Sequence, residues 1–450
     1  MASKAFKAII VGGGPVGLTA AHSLSRANLD FVVLEQRPKV VLDAGSNLVL
    51  LPIGLRVLSQ LGLLPAIEAV SSPMDKFRRI DHNSKDIGDT LWFTHFKDNH
   101  GAYPRVISRH DLMQIIHDGL PAEAQAKLLP NKKVVGVSTG PDGVTVTCTD
   151  GTTYTGTIVV GADGAHSTVR RQMRSEALQG PTATEVNEEK PFLTTYRSLW
   201  VRFPTVAPIK PGDASETHGH NCTLQLFAGK DTSVIGIYER MEKPTREGAR
   251  YGEADELAFV ERWGHLPVIK GGMTIKEAYT NRTQAGMVNL EEGILSRWSW
   301  DRVVLAGDAA HKFTPSTGAG CNTGLVDIVV LANELFHAFR AVRVAENNPE
   351  AFPGKEPILA AFNEYQQARF ETVRDGMKGA SEATGAATWS DATHRFVDRY
   401  VLSRPSLVKL FANRTAADVA KTPVFAYIEG DADQMVGKFP WAYPMKVVAP

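Results

Sequence analysis

Three carboxylates stand where glycines would let a ligand come close to the backbone. Glu35 ends the apolar run Phe31–Leu34, 18 residues after Gly17. Asp163 lies in Val160-Gly161-Ala162-Asp163-Gly164, and Asp308 in Val303-Val304-Leu305-Ala306-Gly307-Asp308-Ala309-Ala310-His311, which runs on to Pro315, Gly318 and Gly320. A third glycine-rich turn, Gly12-Gly13-Gly14-Pro15-Val16-Gly17, follows Ile9-Ile10-Val11. Carboxylates accept hydrogen bonds from sugar hydroxyls, and the N-terminus of a helix that follows glycines attracts phosphate. Gly12, Gly14 and Gly17 complete G-x-G-x-x-G: the first glycine permits the tight turn, the second admits a pyrophosphate, and the third lets strand and helix pack. A carboxylate at Glu35 accepts from a ribose diol and repels a 2′-phosphate, so this spacing points to an unphosphorylated adenosine, FAD or NAD.

Such residues need rigid elements behind them. Residues 6–34 read as a βαβ unit, with strand Phe6–Val11, helix Pro15–Arg26 and strand Phe31–Leu34. Leu and Ile at helical spacing predict a helix over Pro52–Leu63, and Ser108 is the expected N-cap of a helix over Arg109–Leu120. Segments 74–80 and 90–96 are shorter and more polar. Alternation at Val144, Val146 and Cys148, with the turn signal Asp150-Gly151, predicts a β-meander over 133–160. Strand-like runs follow at Phe192–Phe203, Cys222–Phe227, Ser233–Glu239 and Met273–Thr280, a block able to roof a ligand. Val303–Ala306 is again a buried parallel strand, and Gly320–Ala341 and Ile358–Met377 read as long helices. The expectation is an α/β protein: a discontinuous, Rossmann-like dinucleotide-binding domain over 1–70, 105–180 and 286–380. A substrate domain over 71–104 and 181–285 is inserted, and a C-terminal helical segment, 381–450, packs over the substrate pocket or a partner.

Composition excludes several classes. The 450 residues are 43% hydrophobic and 22% charged, as in an ordinary globular enzyme. Lys+Arg and Asp+Glu balance at 49 each, so no net field favours nucleic acid or an anionic membrane. Three cysteines, Cys148, Cys222 and Cys321, have neither disulfide nor zinc spacing and suit a reducing compartment. No apolar run approaches the ~20 residues that span a bilayer; Leu325–Leu331 is broken by Asp327. A cytoplasmic protein acting on a small molecule is expected, and the sequence sets no oligomeric state.

The second and third segments decide between FAD and NAD. Gly161-Ala162-Asp163-Gly164 and Gly307-Asp308-Ala309-Ala310-His311 resemble the DG and GD motifs of single-component, FAD-dependent aromatic hydroxylases and epoxidases, over most of residues 6–380. The resemblance implies that Asp308 binds the ribityl chain, that Asp163 lies near flavin and the transient nicotinamide cofactor, and that Arg109 reaches the pyrophosphate. It also implies that NADPH or NADH reduces the flavin, and that dioxygen then forms a C4a-hydroperoxide. The loop amides around Gly318–Gly320, at a helix N-terminus, can stabilise an anionic flavin. Asp163 has a second role open to it, capping the short helix begun by Ser167; His311 reads as a packing residue, and Cys321 as a small filler. With Ala319 in Gly318-Ala319-Gly320-Cys321-Asn322, where the family often has Gln, and with Ala44-Gly45-Ser46-Asn47-Leu48, the chain resembles a narrower group of fungal flavin monooxygenases. Those enzymes epoxidise prenyl chains of meroterpenoids and indole diterpenes, or the indole 2,3-bond of prenylated indole alkaloids.

Two further polar residues are expected in the active site. Asp43 follows the second strand, where the resemblance places the chain beside the flavin ring. Arg197 interrupts a roofing strand, and by alternation shares a face with Thr195 and Leu199. If that face looks onto the flavin, Arg197 can hydrogen-bond the peroxide or protonate an opening epoxide; otherwise it faces solvent or pairs with Glu239. The leading expectation is epoxidation of a hydrophobic prenylated substrate. Phenol hydroxylation, flavin-dependent halogenation and flavin binding without turnover are the alternatives. Trp298-Ser299-Trp300 matches part of a halogenase motif, but Asp301-Arg302 follows it, and packing is its expected role.

Overall fold

The computed structural model describes residues 6–43, 45–180, 186–430 and 433–447. Ala44 and the expected domain boundary at 181 lie outside the described residues. Two sheets carry the architecture. The first orders its six strands Ser299–Trp300, Val303–Leu305, Ile158–Gly161, Lys7–Val11, Asp30–Leu34 and Leu128–Leu129, and every pairing is parallel except at the Ser299–Trp300 edge. Ile9 and Ile10 point to opposite faces, and both are fully buried: Ile10 packs at Gly17 of the helix Pro15–Arg26, and Ile9 at Gly156 of a three-stranded antiparallel sheet, Val134–Gly140, Gly143–Cys148 and Thr153–Gly156. The helix Pro15–Arg26 begins with Pro15 in its first turn, a position that needs no N–H donor, and buries Leu18, Ala21 and Leu24. Helix Ala319–Ala345 packs on it, and helix Lys355–Ala387 packs on Ala319–Ala345 in turn.

The second sheet has seven strands, in the order His311–Lys312, Gln284–Ile294, Leu193–Pro204, Thr232–Thr245, Cys222–Ala228, Ala214–His218 and Phe77–Asp81. Its two faces differ. Leu199, Val201, Phe203, Leu224, Ile235 and Ile237 form one apolar cluster with Phe259 and Val260 of the helix Glu253–Trp263 and Ile275 and Ala278 of the helix Ile275–Thr280. The alternate residues Tyr196 and Arg202 turn the other way and hydrogen-bond to Thr388 and Asp43. That second face looks toward the glycine-rich segments.

Some elements depart from expectation for identifiable reasons. Met273–Thr280 is not a strand. Thr274 caps a short helix by accepting from the Glu277 N–H while Glu277 accepts from the Thr274 N–H, a capping box that overrides the apolar run. The roof also extends beyond the expected boundary at 285, to Ile294 and then to His311–Lys312. Beyond Ser381 the chain is helical only as far as Val419; it then runs extended across the helix Pro52–Gln60, where Gln60 donates to the Phe425 and Ile428 carbonyls. Among the described residues, no helix is long and apolar enough to cross a membrane.

Candidate functional site

The three glycine-rich segments meet at the carboxyl ends of the parallel strands, the side of an open α/β sheet where ligands bind. Gly12 has φ +105°, and a Cβ there would come within 2.4 Å of the Ala162 carbonyl oxygen. Only glycine lets the first segment lie against the second. A Cβ on Gly14, by contrast, would meet nothing within 4 Å, so the backbone ahead of the helix Pro15–Arg26 is open to an incoming group. Glu35 is buried beside it and accepts from the Gly13 N–H at 2.7 Å and the Arg37 N–H at 2.8 Å.

The third segment is fixed from behind. Asp327, fully buried in the helix Ala319–Ala345, accepts from the Gly307 N–H at 3.0 Å, from His311 Nε2 at 2.6 Å and from Arg369 Nε at 2.9 Å. Burial alone would raise its pKa; the charges of His311 and Arg369 outweigh that and hold it at about 2. This anchoring leaves Asp308 exposed between the buried Gly307 and Ala309. Gly318, at φ +66°, then turns the chain into the helix Ala319–Ala345 with no side chain capping it, so the first amides of that helix remain free for a ligand. Asp308 Oδ1 lies 4.0 Å from where a Cβ on Gly320 would stand, and the Arg109 side chain lies against Gly45, 3.2 Å from where a Cβ there would stand. Burial pushes the Cys321 thiol up to about 11, which suits a packing residue and not a nucleophile.

These groups fit FAD. An open glycine turn at a helix N-terminus suits the pyrophosphate, and Glu35 suits the ribose. Asp308 is an exposed carboxylate for a polyol, Arg109 a cation, and the Ala319 and Gly320 amides a donor set, the Gly318 N–H being taken by the Pro315 carbonyl.

Asp163 is placed differently. Its carboxylate caps the helix Thr168–Gln179, accepting from the Thr168 N–H at 2.7 Å, the Val169 N–H at 3.0 Å and the Ser167 hydroxyl. The capping alternative therefore describes its side chain, and burial raises its pKa against those hydrogen bonds. For Arg197 the second of its two expected places describes the side chain. It sits on the helix-covered face with Leu199 and pairs with Glu239, which also accepts from Arg262 and Trp263 of the helix Glu253–Trp263. Alternation grouped Arg197 and Leu199 correctly; that face looks away from the glycine segments. Asp43 does lie at the cleft, paired with Arg202 at 2.7 and 3.1 Å, and its backbone carbonyl accepts from Gln284. The Arg202 hydrogen bond holds the Asp43 carboxyl below its usual range.

The residues that sequence reasoning missed are those pointing inward from the roof and its neighbours. Gln225 donates to the Ser316 carbonyl at 2.9 Å and to Glu216 Oε1 at 2.7 Å, and the Tyr238 hydroxyl donates to Gln225. Thr384 bridges Ser316 and Thr314. Arg202 was within reach of the same alternation that singled out Arg197, and Asp327 was visible as the charge inside an apolar run. Trp298, fully buried against Tyr365 and Phe370 with its indole N–H donating to the Leu295 carbonyl, is a packing residue.

A sequence model described as an FAD binding domain matches residues 5–201 and 269–345, more than half of the chain. Among curated proteins, the FAD-dependent monooxygenase srdH of Neurospora crassa is 33% identical over 88% of this chain and 90% of its own length. The FAD-dependent monooxygenase ausM of Emericella nidulans is 30% identical over 93% of this chain and 86% of its own. Among solved structures, Klebsiella pneumoniae HpxO complexed with FAD and uric acid superposes with a TM-score of 0.70 at 20% identity, covering 92% of this chain and 96% of that one. A salicylate hydroxylase substrate complex gives 0.66 at 19% identity, covering 91% and 94%. The chain belongs to the FAD binding domain family and, within it, to the FAD-dependent monooxygenases.

Proposed function

We propose that the chain uses NADPH or NADH and dioxygen to epoxidise an alkene or an indole 2,3-bond of a hydrophobic prenylated natural product. The observation that carries this reading is the character of the roof's inward face. Tyr196 is hydrogen-bonded to Thr388, Tyr238 donates to Gln225, and burial pushes both phenols above their ordinary range. A phenol hydroxylase needs a base that ionises its substrate, whereas an alkene epoxidase does not. Two committed tyrosines beside Leu290, in one buried cluster, suit an apolar substrate. Ala319 in the glycine loop adds no polar side chain.

FAD bound along the three segments supplies the redox and oxygen chemistry. The protein's own work is positional. Glu35, Arg109 and Asp308 would hold the ribose, pyrophosphate and ribityl chain, and the amides of Ala319 and Gly320 would supply donors to the ring. The Asp43–Arg202 pair ties the loop after the second strand to the roof. The test is to feed a prenylated indole, NADPH and isotopically labelled dioxygen to the FAD-loaded protein and to identify the product by mass spectrometry. One labelled oxygen on the alkene or the indole 2,3-bond is expected. Labelled oxygen on an aromatic ring carbon as a phenol, or none in any product, would overturn the reading.

A further inference from the structure

Helix Lys355–Ala387 presents a row of hydroxyls to the roof. Ser381 and Thr384, with Thr388 just past the last turn, follow at spacings of three and four, so they lie along one side of the helix. Each meets a different neighbour. Thr388 contacts the Tyr196 hydroxyl at 3.2 Å, Thr384 contacts Ser316 at 2.6 Å and Thr314 at 2.9 Å, and Ser381 reaches Glu292 Oε1 at 3.5 Å. Three residues of helix rise only about 4.5 Å. Glu292 and Ser316 therefore contact helix residues less than one turn apart, and Ser316 lies two residues before the Gly318 turn.

Glu292 is unusual in its surroundings. It belongs to the strand Gln284–Ile294 and shares its alternation with Leu290, which clusters with Tyr196 and Tyr238 on the inward face. Its Oε2 is shielded from solvent and has no hydrogen-bond partner among the described residues, although a long Ser381 contact reaches the other oxygen. Lys312, which pairs across the sheet with the neighbouring Gly293, is engaged by Glu291 at 2.8 Å. Buried polar atoms are nearly always paired, so an unpaired carboxyl oxygen on the inward side of the roof marks a place for a ligand group.

We propose that Glu292 is a specificity-determining residue of the substrate chamber, whose Oε2 hydrogen-bonds a carbonyl or ether oxygen of the substrate and so sets which double bond faces the flavin. Burial raises the pKa of Glu292, and only the Ser381 hydrogen bond opposes the shift, which favours the neutral, donating form. The inference rests on the proposed function and narrows its substrate to a prenylated scaffold that carries an oxygen acceptor away from the attacked bond.

Two probes test it on the FAD-loaded protein: 3-prenylindole, and the same indole bearing a carboxamide. Replacement Glu292→Leu is expected to weaken the carboxamide by about tenfold, the scale of one lost hydrogen bond with its buried partner, and to leave 3-prenylindole within about twofold. The Glu292→Gln variant, which keeps an N–H donor, is expected to recover most of the carboxamide affinity. Difference infrared spectroscopy supplies a readout that packing alone does not move. The carbonyl stretch of a protonated carboxyl is expected to shift when the carboxamide binds and to vanish in Glu292→Gln. Equal weakening of both probes by Glu292→Leu, or no infrared band that depends on Glu292, would overturn the inference. Binding that depends on Glu292 without oxygen insertion would sink the proposed function and leave this inference standing. Oxygen insertion with binding indifferent to Glu292 would do the reverse.

Discussion

At Gly12 a single hydrogen atom decides whether two segments can touch. Any Cβ there would lie 2.4 Å from the Ala162 carbonyl oxygen, on a backbone at φ +105°. Gly12→Ala is expected to push the first two segments apart and to lose bound flavin, seen as a fall in the ratio of flavin to protein absorbance. Gly14→Ala, where the protein leaves open space, is expected to spare the apo fold and weaken only FAD. Equal melting temperatures for the two apo variants would contradict this contrast. A second pair of residues separates the two faces of the roof. Arg202→Leu breaks the fork onto Asp43, whose side chain is 61% exposed. The stability loss should be about 1 kcal/mol or less, yet turnover should fall by about tenfold as the loop loosens. Arg197→Leu, on the helix-covered face, is expected to leave turnover within about twofold, because Glu239 retains Arg262 and Trp263. Steady-state kinetics on both variants decide the assignment; loss of turnover in Arg197→Leu alone would reverse it.

Elements position the site through contacts that local sequence only partly records. The βαβ unit, the Ser108 cap and the long helices were legible because hydrophobic period and capping chemistry are local signals. The three segments were legible as a site because each is a strand followed by glycines. What could not be read was which side of a strand faces the cleft. Alternation gives two faces but does not label them, and the label came from the helix Glu253–Trp263, which covers one face from a distance in sequence. Capping by Asp163 and the capping box at Thr274 show local hydrogen bonding outweighing pattern. Asp327 ties elements together directly, since one carboxylate fixes Gly307, His311 and Arg369. Asp327→Ala leaves the Arg369 guanidinium buried without its anion, a loss on the order of 3–5 kcal/mol. Calorimetry should show a drop in Tm of several degrees, with partial loss of flavin, whereas Asp308→Ala should lose flavin with little change in the apo Tm.

Over the whole molecule, the roof, the third glycine segment and the C-terminal chain are joined by one buried ion cluster. Asp398 pairs with Arg79 and with His218 Nδ1 at 2.9 Å and accepts from the Trp389 indole, while His218 Nε2 meets Glu216 at 3.1 Å. Through Gln225 the cluster reaches Ser316. Burial alone would lower the pKa of His218; Asp398 and Glu216 outweigh it and lift the value from 6.5 to about 9. A histidine raised in the folded state binds its proton more tightly there than in the unfolded chain, so folding gains from protonation. That gain is fully present below 6.5 and is lost as pH rises through about 9. Its size is on the order of a few kcal/mol, at about 1.4 kcal/mol for each unit. Tm is therefore expected to hold between about pH 6 and 7 and then to fall toward about pH 10. His218→Gln keeps a polar side chain without the titrating proton, so its Tm should be lower near neutrality and nearly flat over the same range. The deciding measurement is the difference between the two melting curves as a function of pH. If wild type and variant fall in parallel from neutral to alkaline pH, the cluster does not couple protonation to the joining of roof, glycine segment and C-terminal chain.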